Sequence, residues 1–410
     1  MSTTSSTPPI PHLTNVTRDK DFWFDDGNVV IITTNLRTYS NLCPTAFRIH
    51  RSVLARHVRA PEDLLLADLH IGDPLTDTMD GCPVFRLPDS SHDFRCVLHA
   101  IYDGPNYSEA GKPLPFSTAA ALVRLGHKYD IDSARDLGMK RLDSVFGKCS
   151  TWNLAINRSA PVSERSWSTE VLSLRRKDPI IAVNLFRTIN AQDKLLAALY
   201  MCTELDNDDL LTGTTRVDGL AEKLSANDLA RCLDARDRLA ARCTTYIVDT
   251  LTLPSRTDCR KKKTCDQRLK EIKPLMLTQE RHQSFGATRC GIVGPIYPQW
   301  SQDTKLCETC RVFLSDRELD FQKTLWRALP SIMDMTGVEW DNLFSGTYTS
   351  KMWKASHMCV FRTPSYRHLL IYRYRHQALL QLLCFISLAK SSYVSFAMYV
   401  CIHRGIRVQT

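Results

Sequence analysis

The sequence predicts an α/β domain followed by a mostly α-helical one, and three observations carry that expectation. Phe47 and Ile49 alternate with Arg48 and His50, the period-2 pattern of a half-buried strand. Ser52 follows at once and can cap a short helix whose buried stripe opens at Val53 and Leu54. Beyond Ile180 the apolar residues recur at spacings of three and four instead of two, which is helical.

Taken in order, residues 1–20 are rich in Ser, Thr and Pro and predict a disordered leader. Phe22-Trp23-Phe24 can anchor the first ordered element, Asp25-Asp26-Gly27 suits a turn, and Val29 to Ile32 reads as a buried strand. Thr33–Thr45 is then a long hairpin loop leading to the strand at Phe47. Pro61 must end the short helix or start another, and Leu64 to Leu69 restores an apolar face. Ser90 or Ser91 can cap a helix bearing Phe94, Val97, Leu98, Ile101 and Tyr102, which Gly104-Pro105 stops. Further helices open near Pro115 and Ser133.

Gly147–Lys177 is polar and reads as a linker. Ile180 to Leu205 is helical, with Ile181, Leu185, Leu195 and Leu199 on its apolar face. Ser225 caps a long helix with Leu229, Leu233, Leu239, Cys243, Ile247 and Leu251 inward. Ser315-x-x-Glu318 has the form of a capping box, opening a helix that Pro330 closes. The domains expected are a leader (1–20), an α/β domain (21–147), a linker (148–178), a helical domain (179–344) and a basic, poorly ordered tail (345–410).

The strand-to-helix joint at residues 46–57 sits between recognisable neighbours. Phe22 to Ile32 lies before it; Cys82-Pro-Val-Phe-Arg-Leu-Pro88, then Phe94 to Gly104, then Leu122 to Ile131 lie after it. In that order and spacing, over about residues 20–146, the chain resembles the BTB/POZ domain, and more closely the versions in large families of fungal proteins. Cys307-Glu-Thr-Cys310, the helix after it and Trp326-Arg-Ala-Leu-Pro330 also resemble the C-terminal half of those proteins.

The resemblance implies a small sheet capped by helices. It also implies homodimerisation and recruitment of protein partners, with a substrate adaptor on a cullin scaffold as one form. A transcription or chromatin-associated regulator is the alternative. BTB domains of transcription regulators carry an acid at the head of the first strand and a base just after the histidine, both lining a dimer groove. Here the basic position is Arg51, and the acidic one falls on Asn28 with Asp26 two residues away. The interaction residues expected are therefore Phe22, Trp23, Asn28, His50, Arg51 and Leu54, with Phe22, Trp23 and Leu54 as apolar anchors. His50 is expected to end its strand on a hydrogen bond that supports the fold.

Charge narrows the partners. The chain carries 53 basic and 44 acidic residues; nine of the basic ones and none of the acids follow Asn342. Residues 1–341 thus hold 44 of each sign, so the body has no overall field to attract phosphate. Nucleic acid is not an expected partner. With no GxGxxG, P-loop, HExxH or nucleophile elbow, no enzyme activity is expected either.

Fifteen cysteines in 410 residues are too dilute for a disulfide scaffold, and the N-terminus has no secretory pattern. An intracellular, cytoplasmic or nuclear protein with free thiols is expected. Cys307-x2-Cys310 is the one close pair at metal spacing, and Cys259-x5-Cys265 is the one upstream pair that could complete a zinc site. Because C-x5-C is looser than most zinc ribbons use, the expectation is ordinary packed thiols, no metal and no cofactor. Lys261-Lys262-Lys263 is expected in a solvated loop. Residues 378–402 are long enough for a membrane span, but Lys390 at the centre costs about 2.5–3.5 kcal/mol, so membrane insertion is not expected.

Overall fold

A computed structural model of the chain describes residues 16–33, 44–58, 78–107, 112–156, 167–252, 258–277, 303–338 and 340. The expectations for Pro61, for Leu64 to Leu69 and for the basic tail lie outside these residues. The first strand, β1 (Thr17–Trp23), starts inside the segment expected as a leader. It is fixed there by Asp19, a buried carboxylate that accepts from Arg95 Nε at 2.7 Å and from the backbone N–H groups of Asp21 and Phe22.

β2 (Val29–Thr33) and β3 (Thr45–Ile49) form the expected hairpin, antiparallel with Val29 opposite Ile49 and Thr33 opposite Thr45. α1 (Arg51–Ala55) follows the strand directly. β4 (Thr78–Met79) and β5 (Cys82–Leu87) are joined by Asp80-Gly81, both at positive φ, the two-residue turn whose twist suits a hairpin. β1 and β5 pair parallel to β3 and β2, so the sheet order is β1-β3-β2-β5-β4.

Both faces of this sheet are buried, which is why β2 is apolar at four successive positions. Ile31, Phe47 and Ile49 pack with Phe94, Leu98, Leu122 and Leu125 of the helices on one side. Val30, Ile32, Ala46, Cys82 and Val84 form a second cluster. Burying each such side chain is worth roughly 1.5–3 kcal/mol, so this sheet is the main apolar anchor of the N-terminal half.

Helices cap the sheet. α2 (Ser91–Tyr102) starts on Ser90, whose Oγ accepts from the Asp93 N–H. α3 (Phe116–Lys128) and α4 (Asp132–Phe146) lie very close together, and two glycines permit it. A Cβ on Gly126 would stand 2.6 Å from the Arg135 nitrogen, and one on Gly138 would stand 2.7 Å from the Ala119 carbonyl oxygen.

The segment expected as a linker is not one. It contains α5 (Lys148–Ile156), with Trp152 buried, and β7 (Leu172–Ser173), which pairs with β6 (Leu114–Pro115). Its polar composition misled because only one face of α5 is covered. The stretch from Ile180 to Leu205 is two helices, α6 (Asp178–Thr188) and α7 (Gln192–Cys202), broken at Asn190 with φ 56°. α8 (Asn207–Thr212) and a small β8–β9 hairpin (Thr214–Thr215, Ala221–Glu222) follow.

α9 (Ala226–Thr252) begins on Ser225 as expected, its Oγ accepting from the Asp228 N–H at 3.1 Å. Its inward stripe is Asp228, Cys232, Ala235, Leu239, Cys243 and Tyr246; Leu233, assigned inward from the sequence, is exposed. α10 (Lys262–Leu277) begins inside the Lys261–Lys263 run expected as a solvated loop; the three lysines are exposed, but two of them are helical. Cys265, Leu269 and Ile272 line its buried side at helical spacing.

α11 (Glu308–Ile332) starts at Glu308, seven residues before the Ser315 capping box, with Cys307 as its N-cap, and runs two residues past Pro330. Proline lacks the N–H that would bond to the carbonyl four residues back. That carbonyl, on Trp326, accepts instead from the Trp340 indole N–H at 2.8 Å, so the helix tolerates Pro330. Trp326 also packs against Trp152 and Tyr200, joining α5, α7 and α11. Phe116, Phe146 and Phe186 link α3, α4 and α6 in the same way. The described residues thus form one compact unit of mixed α/β followed by helical structure. No helix among them is long and apolar enough to cross a membrane.

Candidate interaction surface

The ends of β1 and β3 and the start of β2 meet at one end of the sheet. Phe24 N–H donates to the Arg48 carbonyl and Asn28 N–H to the Ile49 carbonyl, each at 3.0 Å. Trp23, Asn28, His50 and Arg51 are thereby gathered from positions far apart in the chain.

His50 is the fixed point of this end. Its backbone N–H donates to the Tyr102 hydroxyl at 3.1 Å, and its Nδ1 lies 3.2 Å from the same oxygen. Its Nε2 lies 3.2 Å from Asp26 Oδ1, and its ring packs against Phe24 at 5.2 Å between centroids. One proton arrangement serves all three polar contacts: Tyr102 O–H donates to Nδ1, and Nε2–H donates to Asp26. Burial, with the Asp26 carboxylate nearby, pushes the Tyr102 hydroxyl above its ordinary pKa, which keeps its proton in place. The expected fold-supporting role of His50 is present in this geometry, through both the ring and the backbone.

Asp26 therefore serves His50. Arg51 instead meets Asn28 through its backbone: the Arg51 N–H donates to Asn28 Oδ1 at 2.9 Å. That bond caps the start of α1 from outside the helix. The side chains of Arg51 and Asn28 both face solvent.

Two of the three expected anchors are corrected. Phe22 is buried in the core against His99, Phe24 and Tyr102, with centroid separations of 4.7, 6.3 and 5.8 Å. Leu54 is also buried in the same cluster. Neither offers surface to a partner; the apolar runs that suggested anchors are consumed by the protein's own core. Trp23 remains half-exposed, with the Arg18 guanidinium over its ring at 4.5 Å.

A second polar centre joins the two halves of the unit. Asp93 of α2 accepts from Arg124 of α3 and from Arg216 Nη2 of the β8–β9 hairpin, the latter at 2.7 Å. Arg216 also reaches Asp218 at 2.6 Å, and all three of Asp93, Arg216 and Asp218 are nearly enclosed. Burial alone would lower the Arg216 pKa, but the three surrounding carboxylates hold it above the ordinary value. Nothing in the sequence pattern marks this network, because its members lie 123 positions apart.

The cysteines are arranged differently from the expectation of scattered packed thiols. Cys259, Cys265, Cys307 and Cys310 place their four sulfur atoms within 4.8 Å of one another, the one set of this kind among the described residues. Cys259 and Cys265 flank the start of α10, while Cys307 and Cys310 open α11. Spacing within each pair was legible; that two helix starts converge was not. Compared with known proteins, the chain matches no family model, no curated protein and no solved structure.

Proposed function

We propose that this chain is a protein–protein interaction protein whose N-terminal α/β domain dimerises and recruits a partner, as a BTB/POZ domain does. The specific form proposed is a substrate adaptor on a cullin scaffold, with no catalytic step of its own. One observation carries the reading: the end of the sheet where Asn28 and Arg51 are exposed and Trp23 is half-exposed is fixed by His50, which bonds Tyr102 and Asp26. A surface whose supports are fixed before contact loses less freedom on binding. Tryptophan and arginine, here the half-exposed Trp23 and the exposed Arg51, are residue types that dominate interface energies. The small helix-capped sheet is the architecture that the sequence resemblance implies.

Light scattering on the full-length protein tests the association. Twice the chain mass is expected, falling toward the monomer in Trp23→Ala combined with Arg51→Glu. A clean monomer of the unsubstituted protein at high micromolar concentration would sink dimerisation. Affinity purification of the tagged protein then separates the forms. Cullin peptides support the adaptor; chromatin factors without cullin would replace it with the regulator.

A further inference from the structure

We infer that Cys259, Cys265, Cys307 and Cys310 form a structural zinc site that staples the start of α10 to the start of α11. Four sulfurs about 2.3 Å from a tetrahedral zinc ion stand about 3.8 Å from one another. Here all four lie within 4.8 Å, and Cys259 Sγ and Cys307 Sγ are 3.6 Å apart. Closing from this arrangement onto a metal takes shifts of a fraction of an ångström to about one ångström.

The surroundings suit thiolates. The Cys307 backbone N–H donates to Cys265 Sγ at 3.3 Å, the kind of outer contact that holds a metal-bound sulfur in place. Three of the sulfurs sit at helix N-termini: Cys307 is the N-cap of α11, Cys310 is in its first turn and Cys265 is in the first turn of α10. The positive end of each helix favours negative charge there. Zinc with four thiolates carries a net charge of about −2, and Arg260, Lys261, Lys262 and Lys263 follow Cys259 directly in sequence.

Four protein sulfurs leave no open coordination position, so the site is structural and not catalytic. Binding is coordination alone. Four S–H bonds lose their protons to solvent as four Zn–S bonds form, and nothing is oxidised or reduced. The site has a task in the fold, since the described part of α10 buries only Cys265, Leu269 and Ile272. Besides these it is held by Arg268, whose Nε donates to Asp303 at 2.8 Å. Cys265 and Cys307 are 42 positions apart, so the metal would close a long loop.

Cys259 and Cys307 are half-buried, and Cys307 borders an open groove with Arg260, Lys261 and Arg311, so reagents can reach the sulfurs. Elemental analysis of the full-length protein, purified without chelator, is expected to give about one zinc per chain. A mercurial reagent should release that zinc as it titrates the thiols. Cys307→Ser with Cys310→Ser should lose at least about nine-tenths of the metal, whereas Cys149→Ser, at an exposed cysteine, should keep it. Cobalt(II) in place of zinc should give the absorption bands of a tetrahedral thiolate site. Less than about a tenth of a zinc per chain with all four thiols freely reactive would overturn the inference. So would an intact mass showing disulfides among them, or stoichiometric iron in place of zinc. If the double variant does not fold, the metal count and cobalt spectrum of the unsubstituted protein decide the matter.

Discussion

The sheet of the N-terminal half and the α10–α11 corner solve the same problem with different means. In the sheet, Val30, Ile32 and Ala46 on one face and Ile31, Phe47 and Ile49 on the other are all essentially inaccessible to solvent. Apolar burial there is dense enough to hold every element, and its one conspicuous cysteine, Cys82, merely lies against the Gly27 carbonyl. α10 is charged along most of its length and has a narrow apolar stripe. Where the apolar area of an element runs short, a directional cross-link can hold it. Cysteine in the sheet behaves as a small hydrophobe, and in the corner it is gathered as a ligand set. Neighbours, not residue type, decide which.

The largest expected effect is the one that separates these regions most sharply. Structural zinc in small peptides contributes an apparent 10–16 kcal/mol. Its removal by a strong chelator is expected to release α10 from α11 while the sheet stays folded. Hydrogen exchange should quicken across Lys262–Lys273 and remain slow in α3. Equal loss of protection in both would show that the corner is no independent element.

Arg216→Ala is the next in size, because it strikes the joint between the halves. It removes one cation from two nearly enclosed carboxylates, Asp93 and Asp218, while Arg124 still partners Asp93. Losing one partner of a buried pair costs about 3–5 kcal/mol, and the retained Arg124 places this case at the lower end. Denaturant unfolding measures it. A change below about 1 kcal/mol, the range of exposed pairs, would mean that the halves hold together without this network.

The smallest effect concerns acid. Burial alone would raise the Asp228 pKa, but Arg187, Ser225 and Arg231 around it more than reverse that, so it lies below the ordinary 3.8. A carboxylate depressed in the folded state stabilises fully above its unfolded pKa, and that contribution fades as pH falls through the depressed value. Asp228→Asn should therefore be less stable than the parent at neutral pH and flatter in its stability profile below about pH 4. Parallel acid profiles for the two proteins would remove Asp228 from the account.

Much of the fold is local and was written in the sequence. The β2–β3 hairpin follows from one apolar run and one alternating run. Ser90 and Ser225 start their helices because a hydroxyl at that position satisfies an orphan N–H three residues on. The candidate surface was legible in part: Asn28, His50 and Arg51 stand out in the sequence, but the groups that His50 and Arg51 bond within the chain do not. Periodicity gives the buried side of an element without saying how much of that side its neighbours cover, hence the errors at Leu233 and over residues 148–178.

What the sequence by itself determined is the β2–β3 hairpin with its joint to α1, the helices that start on Ser90 and Ser225, the neutral body, and the two spaced cysteine pairs. Tertiary structure decided the rest, because it alone fixes which distant groups share a volume. It put Phe22 and Leu54 inside instead of on a surface, and it set Asp26 on His50 and Arg216 on Asp93. It let Trp340 bond to the carbonyl that Pro330 leaves open. It brought four thiols from two helix starts within reach of a single ion. Each of these pairings spans from 14 to more than 100 positions, beyond the range over which a helix or strand period constrains which residues meet.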